Sequence, residues 1–219
     1  MLIHHNYEQG SPEWLAVRKG AITGSRFKDC RDKLKNGSPS KACLAYAMDT
    51  ARERLGGSAP AKFQNAAMRT GTEQEAFARR AYENQTGNLV EEVGFYTTED
   101  GLFGLSPDGL IDDDGVLEIK TMVSSDTLFT AVGDGDISEY IDQCLGYLWL
   151  LGRQWVDLVL WAPDLKDLGL ELTIKRITRD EAAIEALEAD LMAFAELVKT
   201  YETKLRNLAA NTEQFKEAA

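Results

Sequence analysis

Two short segments, Ser106–Gly109 and Val116–Lys120, predict a pair of adjacent strands that constrains the fold more than any other part of the chain. They are separated by a turn that contains Asp112–Gly115, a run of typical turn-forming residues. Successive side chains of a strand point to opposite faces, so Glu118 and Lys120 share one face. We therefore expect a carboxylate and an ammonium group side by side on this strand.

Asp108 arrives on the neighbouring strand, while Leu117 and Ile119 point to the opposite face, toward a core. An Asp and a Glu beside a Lys can hold a hard cation next to a positioned water, as metal-assisted phosphodiester hydrolysis requires. Each fragment alone is also typical of an ordinary turn or a solvated ion pair. Together, in this order and spacing, they match the PD-(D/E)xK signature of nucleases.

Composition favours one substantial α/β domain. The chain has 219 residues, of which 44% are hydrophobic. It contains no apolar run of membrane-spanning length and no secretory signal at Met1–His5. The cysteines, Cys30, Cys43 and Cys144, are scattered without metal-ligand spacing, which indicates reduced thiols. We therefore expect a cytoplasmic protein without a membrane partner.

The charge is distributed unevenly along the chain, whose formal net charge is −12. Residues 1–62 carry eleven Lys and Arg against six Asp and Glu, whereas residues 63–219 carry thirteen against thirty. The basic stretch from Arg18 to Lys35 is therefore the expected phosphate-facing surface. The alternative for any single one of these residues is a solvated helix face.

The periodicity of apolar residues predicts an α/β (α+β) fold with a central mixed β-sheet flanked by helices. We expect a single domain over residues 1–219, with a helical N-terminal part to about residue 88 and a sheet-containing core over about 89–177. Apolar residues then recur every three or four positions, which predicts one long C-terminal helix over about 178–210, packed on its own domain or against another chain. The predicted strands are Leu89–Thr97, Leu102–Ser106, Val116–Thr121, Val156–Ala162 and Leu170–Ile177.

Four motifs in order resemble the phage lambda exonuclease, or YqaJ-type, branch of the PD-(D/E)xK nucleases, also called alkaline exonucleases. The resemblance covers roughly residues 10 to 175 and implies a restriction-endonuclease-like core. The motifs are Gly10–Ser25, Gly71–Glu75, Leu105–Gly109 with Leu117–Lys120, and Gln143–Tyr147.

The resemblance implies an enzyme that digests one strand of linear double-stranded DNA from a 5′-phosphorylated end. The products are mononucleotides and a 3′ single-stranded overhang. It implies Mg²⁺ as cofactor, with Mn²⁺ as a substitute and two ions per active site. It further implies a homotrimeric ring, a single-strand annealing recombinase as partner, and a bacterial or prophage source. The helical part to about residue 88 would then bind the DNA end.

The same resemblance implies the metal-binding residues. Asp108, Glu118 and the backbone carbonyl of Ile119 would ligate the metal, since Mg²⁺ prefers oxygen ligands. Lys120 would position the attacking water and help to deprotonate it. Glu75 would bind a second metal or its water, although an exposed helix charge is the alternative.

Other matching positions are implied to surround the metal site or to bind the DNA end. Gln143 would touch the water or the phosphate, with Tyr147 and Ser106 as supporting contacts; a core position is the alternative for Tyr147. At the DNA end, Arg18 is implied to clamp the 5′-phosphate. Ser25 would contact the same phosphate, with a plain helix N-cap as the alternative. Met68 would be an apolar wedge, with ordinary packing as the alternative.

Three rival functions remain open at the level of sequence. One is a different PD-(D/E)xK enzyme, such as an endonuclease. Another is a DNA-end-binding protein without catalysis, against which the intact Asp108, Glu118 and Lys120 argue. The last is an acidic DNA mimic, which the net charge suggests and the basic first 62 residues oppose.

Overall fold

The computed structural model describes the backbone of residues 1–60 and 66–217 and the side chains of residues 1–60 and 69–211. The described helices are α1 (Pro12–Arg18), α2 (Phe27–Arg31), α3 (Lys41–Arg54), α4 (Ala66–Thr86), α5 (Ser125–Leu128), α6 (Ser138–Leu151) and α7 (Glu181–Glu217). The described strands are β1 (Leu2–His5), β2 (Ile22–Thr23), β3 (Phe95–Thr98), β4 (Phe103–Leu105), β5 (Gly109–Ile111), β6 (Gly115–Thr121), β7 (Trp155–Trp161) and β8 (Leu172–Thr178).

The strands form two four-stranded mixed sheets, in the orders β1-β3-β4-β2 and β5-β6-β7-β8. β2 runs parallel to β4 and β6 parallel to β7, and the other pairs are antiparallel. The predicted mixed α/β class with a long C-terminal helix is confirmed. The division into two sheets was not predicted. It falls at Ser106–Asp108, where Pro107 has no N–H to continue a strand ladder.

The first sheet departs most from the predicted elements. A strand was expected over Leu89–Thr97, but the observed strand β3 begins only at Phe95. Before it, Glu91 makes an isolated β-bridge to Leu110. β1 and β2 were not predicted, because strands of four and two residues leave almost no periodic signal.

The second sheet has two differently used faces, as the alternation along β6 predicts. Leu117 and Ile119 pack with Tyr82 of α4 in a small apolar cluster. Glu118 and Lys120 point to the other face, where they meet α6. The sheet is thus buried on both sides, and the polar face of β6 is enclosed by a helix.

The long helix α7 packs on its own domain. Its apolar seam, from Ile184 to Val198, is buried against a core shared with α3 and α6. The seam becomes exposed at Leu205, beyond this contact. Asp180 caps the helix, since its Oδ1 accepts from the backbone N of Ala183 at 3.1 Å. Among the described helices, none has the length and apolar character needed to cross a membrane.

Helix α6 approaches α2 closely at Gly146. A Cβ atom at this position would lie 2.4 Å from Cε2 of Phe27, whose ring is fully buried in the core. We expect Gly146→Ala to lower the free energy of unfolding by about 1–3 kcal/mol, as overpacked cores do, in urea denaturation. Gly71→Ala in α4 is the control, because its added Cβ meets no described atom within 4 Å. Alanine is the better helix former, so this control should keep or raise stability.

Candidate active site

The turn before β5 and the strand β6 are joined by a side chain. Oδ2 of Asp108 accepts a hydrogen bond from the backbone N of Ile119 at 2.7 Å. The N–H and C=O of one strand residue point to the same side, so the carbonyl of Ile119 also faces the edge occupied by Asp108. The structure therefore places Asp108 and the Ile119 carbonyl at one edge of β6, and Glu118, one residue earlier, is close enough for its charge to act on Asp108.

Glu118 is the centre of the cluster and is only 2% exposed. Its Oε1 lies 2.7 Å from Nζ of Lys120 and accepts from Nε2 of Gln143 at 2.7 Å. Its Oε2 accepts from the hydroxyl of Tyr147 at 2.6 Å. Three donors satisfy a buried carboxylate that would otherwise be very costly to desolvate. An oxygen can accept two hydrogen bonds, so Oε2 keeps acceptor capacity.

Gln143 orients the cluster from helix α6. Its Nε2 donates both to Glu118 and to the hydroxyl of Tyr147, one helical turn away, at 2.7 and 2.8 Å. Its Oε1 accepts from Nζ of Lys120 at 3.1 Å. The donor and acceptor ends of the amide therefore have only one consistent orientation.

Tyr147 is both a core residue and a hydrogen-bonding partner, so the two alternatives from the sequence combine. Its side chain is almost fully buried, and its hydroxyl lies 3.3 Å from the backbone O of Ser106. Burial, reinforced by the charges of Glu118 and Asp108, raises the pKa of Tyr147 well above its usual range. Ser106 contacts the cluster through its main chain, while its hydroxyl donates to the backbone O of Gly94 at 3.4 Å.

Lys120 remains a cation in this setting. Burial disfavours its charged form, but the neighbouring charges of Glu118 and Asp108 prevail and raise the pKa of Lys120. The ring of Tyr140, three residues before Gln143 on α6, lies 5.7 Å from Nζ. The raised pKa favours the charged ammonium form, and the expected part of Lys120 in deprotonating the water stays a prediction.

Glu75 approaches the site from α4 but turns toward another partner. Its Oε1 lies 2.8 Å from Nη2 of Arg79, one turn along, and Arg79 also contacts Glu92 at 2.5 Å. Burial raises the pKa of Glu75; Arg79 opposes this effect, and the charge of Glu118 adds to it. Within residues 1–60 and 69–211, no three His, Cys, Asp or Glu side chains converge on one metal position.

The carboxylates fit a divalent cation nonetheless. Burial, followed by the charges of Glu118 and Glu75, raises the pKa of Asp108 well above its usual range. Like charges held this close repel each other, and a cation between them relieves that repulsion. Mg²⁺ commonly uses only one or two carboxylates with several waters, and Asp108, Glu118 and the Ile119 carbonyl meet that need.

Arg18 and Ser25 also come together, in a second cluster. Nη2 of Arg18 lies 3.3 Å from Oγ of Ser25 and 3.4 Å from Oγ1 of Thr23. The guanidinium stacks on Trp14, with its Cζ 4.9 Å from the ring centroid. Arg18 forms no ion pair with any described residue, so its charge is available to an anion. Ser25 lies inside a short 3-10 turn and caps no helix, which removes the plain N-cap alternative.

The two clusters are neighbours. A Cβ on Gly24, the residue before Ser25, would lie 2.8 Å from Leu105 and 3.9 Å from Cγ of Gln143. The turn that carries Ser25 therefore packs directly on the helix that carries Gln143. Met68, the predicted wedge, lies outside the described side chains.

Sequence reasoning missed two members of this site. Arg79 neutralises Glu75, and the spacing of four residues on a helix was the signal for that pair. Tyr140 lies beside Lys120, and its position three residues before Gln143 placed it on the same helix face.

The fold and the cluster together define a protein of the exonuclease class. Residues 13–154 match the YqaJ-like viral recombinase domain, so the chain belongs to that family, and the resemblance to lambda-type exonucleases is confirmed. A comparison with curated proteins gives no match.

Solved structures agree with this assignment. The alkaline exonuclease LHK-Exo from Laribacter hongkongensis is 34% identical, with a TM-score of 0.81 over 92% of this chain and 100% of that one. LHK-Exo in complex with dAMP gives 35% identity and a TM-score of 0.82 over the same shares. A phage-related exonuclease from Haemophilus somnus 129PT shares the fold, with 17% identity and a TM-score of 0.59 over 86% of this chain and 96% of that one.

Proposed function

We propose that this chain is a metal-dependent 5′→3′ exodeoxyribonuclease that digests one strand of linear double-stranded DNA. The observation that carries the proposal is the contact between two clusters. A carboxylate and lysine site suited to phosphodiester hydrolysis lies next to Arg18, which forms no ion pair with a described residue and is suited to a terminal phosphate. That adjacency favours cleavage close to a DNA end.

Asp108, Glu118 and the carbonyl of Ile119 would hold Mg²⁺, with Mn²⁺ as a substitute. When bound, the ion would act as a Lewis acid that polarises the phosphate and makes water a better nucleophile. A second ion would require Glu75, whose carboxylate now pairs with Arg79. Glu75 would therefore have to leave Arg79, at least in part, to join the site.

The side chains around the metal have separate tasks. Lys120 would place its positive charge against the charge that develops on the phosphate, and would hold the attacking water by hydrogen bonding. Gln143 holds Lys120 and Glu118 in position, because its amide oxygen accepts from Lys120 and its amide nitrogen donates to Glu118. Tyr147 would fix Glu118 from the buried side. Groups already held in place need little reorganisation during the reaction.

A similar solved structure supports the proposal that the products are mononucleotides. The complex of LHK-Exo with dAMP contains a deoxynucleoside monophosphate, which is what an exonuclease releases one step at a time. For this chain we propose mononucleotide products and a 3′ overhang, used by a single-strand annealing recombinase. We further propose a homotrimeric ring, a single exonuclease domain, and a cytoplasmic location in a bacterial host.

The test of this function is a comparison of DNA topologies. With Mg²⁺, the protein should release mononucleotides from linear duplex and leave covalently closed circles intact. Cutting of closed circles would assign the chain to the endonucleases. Binding to DNA ends without any release of nucleotide would make it an end-binding protein.

Arg18→Ala should remove most of the preference for 5′-phosphorylated over 5′-hydroxyl ends. A hydrogen bond to a charged group contributes about 1.5–3 kcal/mol, so the ratio of kcat/KM for the two ends should fall roughly 10- to 100-fold. Arg52→Ala, at an exposed position of α3, is the matched control and should keep the wild-type ratio. An Arg18→Ala protein with an undiminished preference would count against the phosphate clamp.

A further inference from the structure

An open groove runs along the outer side of helix α4, between this helix and strands β7 and β8. Its cavity is about 690 Å³. The residues that matter here are Gln74, Phe77, Arg80, Trp161, Lys166 and Glu171. We call this surface the α4 groove; neither the metal site nor the Arg18 cluster uses any of these residues.

The wall and the floor of the α4 groove are aromatic. Phe77 is 58% exposed, which is unusual for a large apolar side chain in the middle of a helix, and its ring borders the cavity. Trp161 lies at the floor and is only 6% exposed. Its Nε1 donates to Oε1 of Gln74 at 3.1 Å, which holds this amide at the groove. An accessible ring beside polar amides suits the flat face and polar edge of a nucleobase.

The charges of the α4 groove oppose the charge of the whole chain. Arg80 and Lys166 are exposed at its border, and neither forms an ion pair with the side chains that the structure describes. Glu171 is the only carboxylate among the described residues that line it. In a chain of net charge −12, two unneutralised cations beside an exposed ring are a distinctive local feature.

The α4 groove is one residue away from the candidate active site along two elements, but it lies on the other face of the sheet. Gln74 directly precedes Glu75, which faces the metal cluster from the same helix. Trp161 pairs in register with Thr121, the residue after Lys120. Successive residues of a strand point to opposite faces, so Trp161 and the groove lie on the face opposite Lys120, on the side of α4 away from Glu75.

We propose that the α4 groove binds single-stranded DNA, namely the strand that the enzyme leaves undigested. The inference rests on the proposed exonuclease function, which leaves one strand of the duplex single and free to contact a neighbouring surface of the protein. Phe77 stacks on a base, while Arg80 and Lys166 contact the phosphates on either side. Stacking platforms combined with a few cations bind single strands without sequence preference.

The experiment measures binding of a fluorescently labelled 20-nucleotide oligothymidine to the full chain, in EDTA so that no cleavage occurs. Stacking contributes about 1–3 kcal/mol per base, so Phe77→Ala should weaken binding about tenfold. Arg80→Glu should weaken it by a similar factor and reduce its dependence on salt. Tyr7→Ala, after β1, and Arg206→Glu, on α7, remove an exposed ring and an exposed arginine elsewhere, and should stay within about twofold of wild type.

Three results would overturn the proposal. The first is wild-type protein that does not bind the oligonucleotide, and the second is Phe77→Ala protein that binds it as well as wild type. The third is Phe77→Ala protein that changes its oligomeric state in sedimentation, which would assign this face to a contact between copies of the chain. Release of nucleotide from linear duplex by wild-type protein with Mg²⁺ is measured separately. The two assays therefore distinguish an error in the proposal for the groove from an error in the proposed exonuclease function.

Discussion

Lys120→Met is expected to lower the rate of phosphodiester cleavage by a factor of about 10³ while the protein stays folded. The ammonium group is held 2.7 Å from Glu118 and 3.1 Å from Gln143, and the charges of Glu118 and Asp108 raise its pKa, which favours its charged form. Methionine keeps the length and the apolar stem but removes the charge. The loss should appear in kcat, because the charge acts on the transition state more than on bound DNA.

The matched control for this variant is Lys175→Met. Lys175 lies on β8 opposite Leu158, and Leu158 lies opposite Glu118, so it occupies the same face of the sheet two strands away. Its replacement should leave kcat within about twofold. Single-turnover cleavage of a linear duplex with saturating Mg²⁺ measures both variants. A Lys120→Met enzyme with more than a tenth of wild-type kcat is incompatible with the proposed role.

Asp108→Asn is expected to abolish activity and, without divalent metal, to make the protein more stable. Burial and the charges of Glu118 and Glu75 raise the pKa of Asp108 above its value in the unfolded chain. Its ionisation therefore opposes folding, and asparagine removes that charge. Asparagine also keeps an oxygen to accept from the backbone N of Ile119. In EDTA at neutral pH we expect Tm to rise by roughly 2–4 °C, which corresponds to about 1 kcal/mol for a chain of this size.

The sign of the pH dependence follows from the same raised pKa. Stability linked to Asp108 is fully present below the pKa of the carboxyl in the unfolded chain and is lost as the pH rises through its higher folded value. Metal-free wild type should therefore lose stability over this range, and the Asp108→Asn protein should lose less. Added Mg²⁺ should raise the Tm of wild type more than that of the variant, because it binds the folded site.

Asp157 provides the contrasting carboxylate. It is 2% exposed, and it accepts from Arg176 through both oxygens at 2.7 Å and from the hydroxyl of Tyr82 at 2.6 Å. Asp157→Asn should lower Tm under the same conditions, because the substitution removes a charged acceptor that is already fully hydrogen-bonded and relieves no charge repulsion. If both variants shifted Tm in the same direction, the distinction between a metal-binding and a structural carboxylate would fail.

The chemistry on β6 was predictable because it depends on local alternation. Five residues, Val116 to Lys120, determine which side chains share a face, and the structure agrees at Leu117, Glu118 and Lys120. The seam of α7 was predictable for the same reason, since a helical period persists over many turns. Its partner was not, because the seam is apolar whether it meets its own core or another chain.

The parts that sequence reasoning could not supply depend on tertiary contacts. The split between the two sheets follows from where Pro107 falls between strands that pair with different neighbours. The ion pair of Glu75 with Arg79 is an exception, because its helical spacing was readable and was passed over in favour of a metal ligand at Glu75. The adjacency of Ser25 and Gln143 joins positions far apart in the chain, and only the packing of Gly24 on α6 reveals it.

One measurement tests the central claim most directly. Linear duplex DNA, labelled at either the 5′ or the 3′ end, is incubated with the protein and Mg²⁺, and release of label is followed over time. The account predicts early release of the 5′ label as a mononucleotide, late release of the 3′ label, and no release in EDTA. Early release of the 3′ label, or equal release with and without divalent metal, would contradict it.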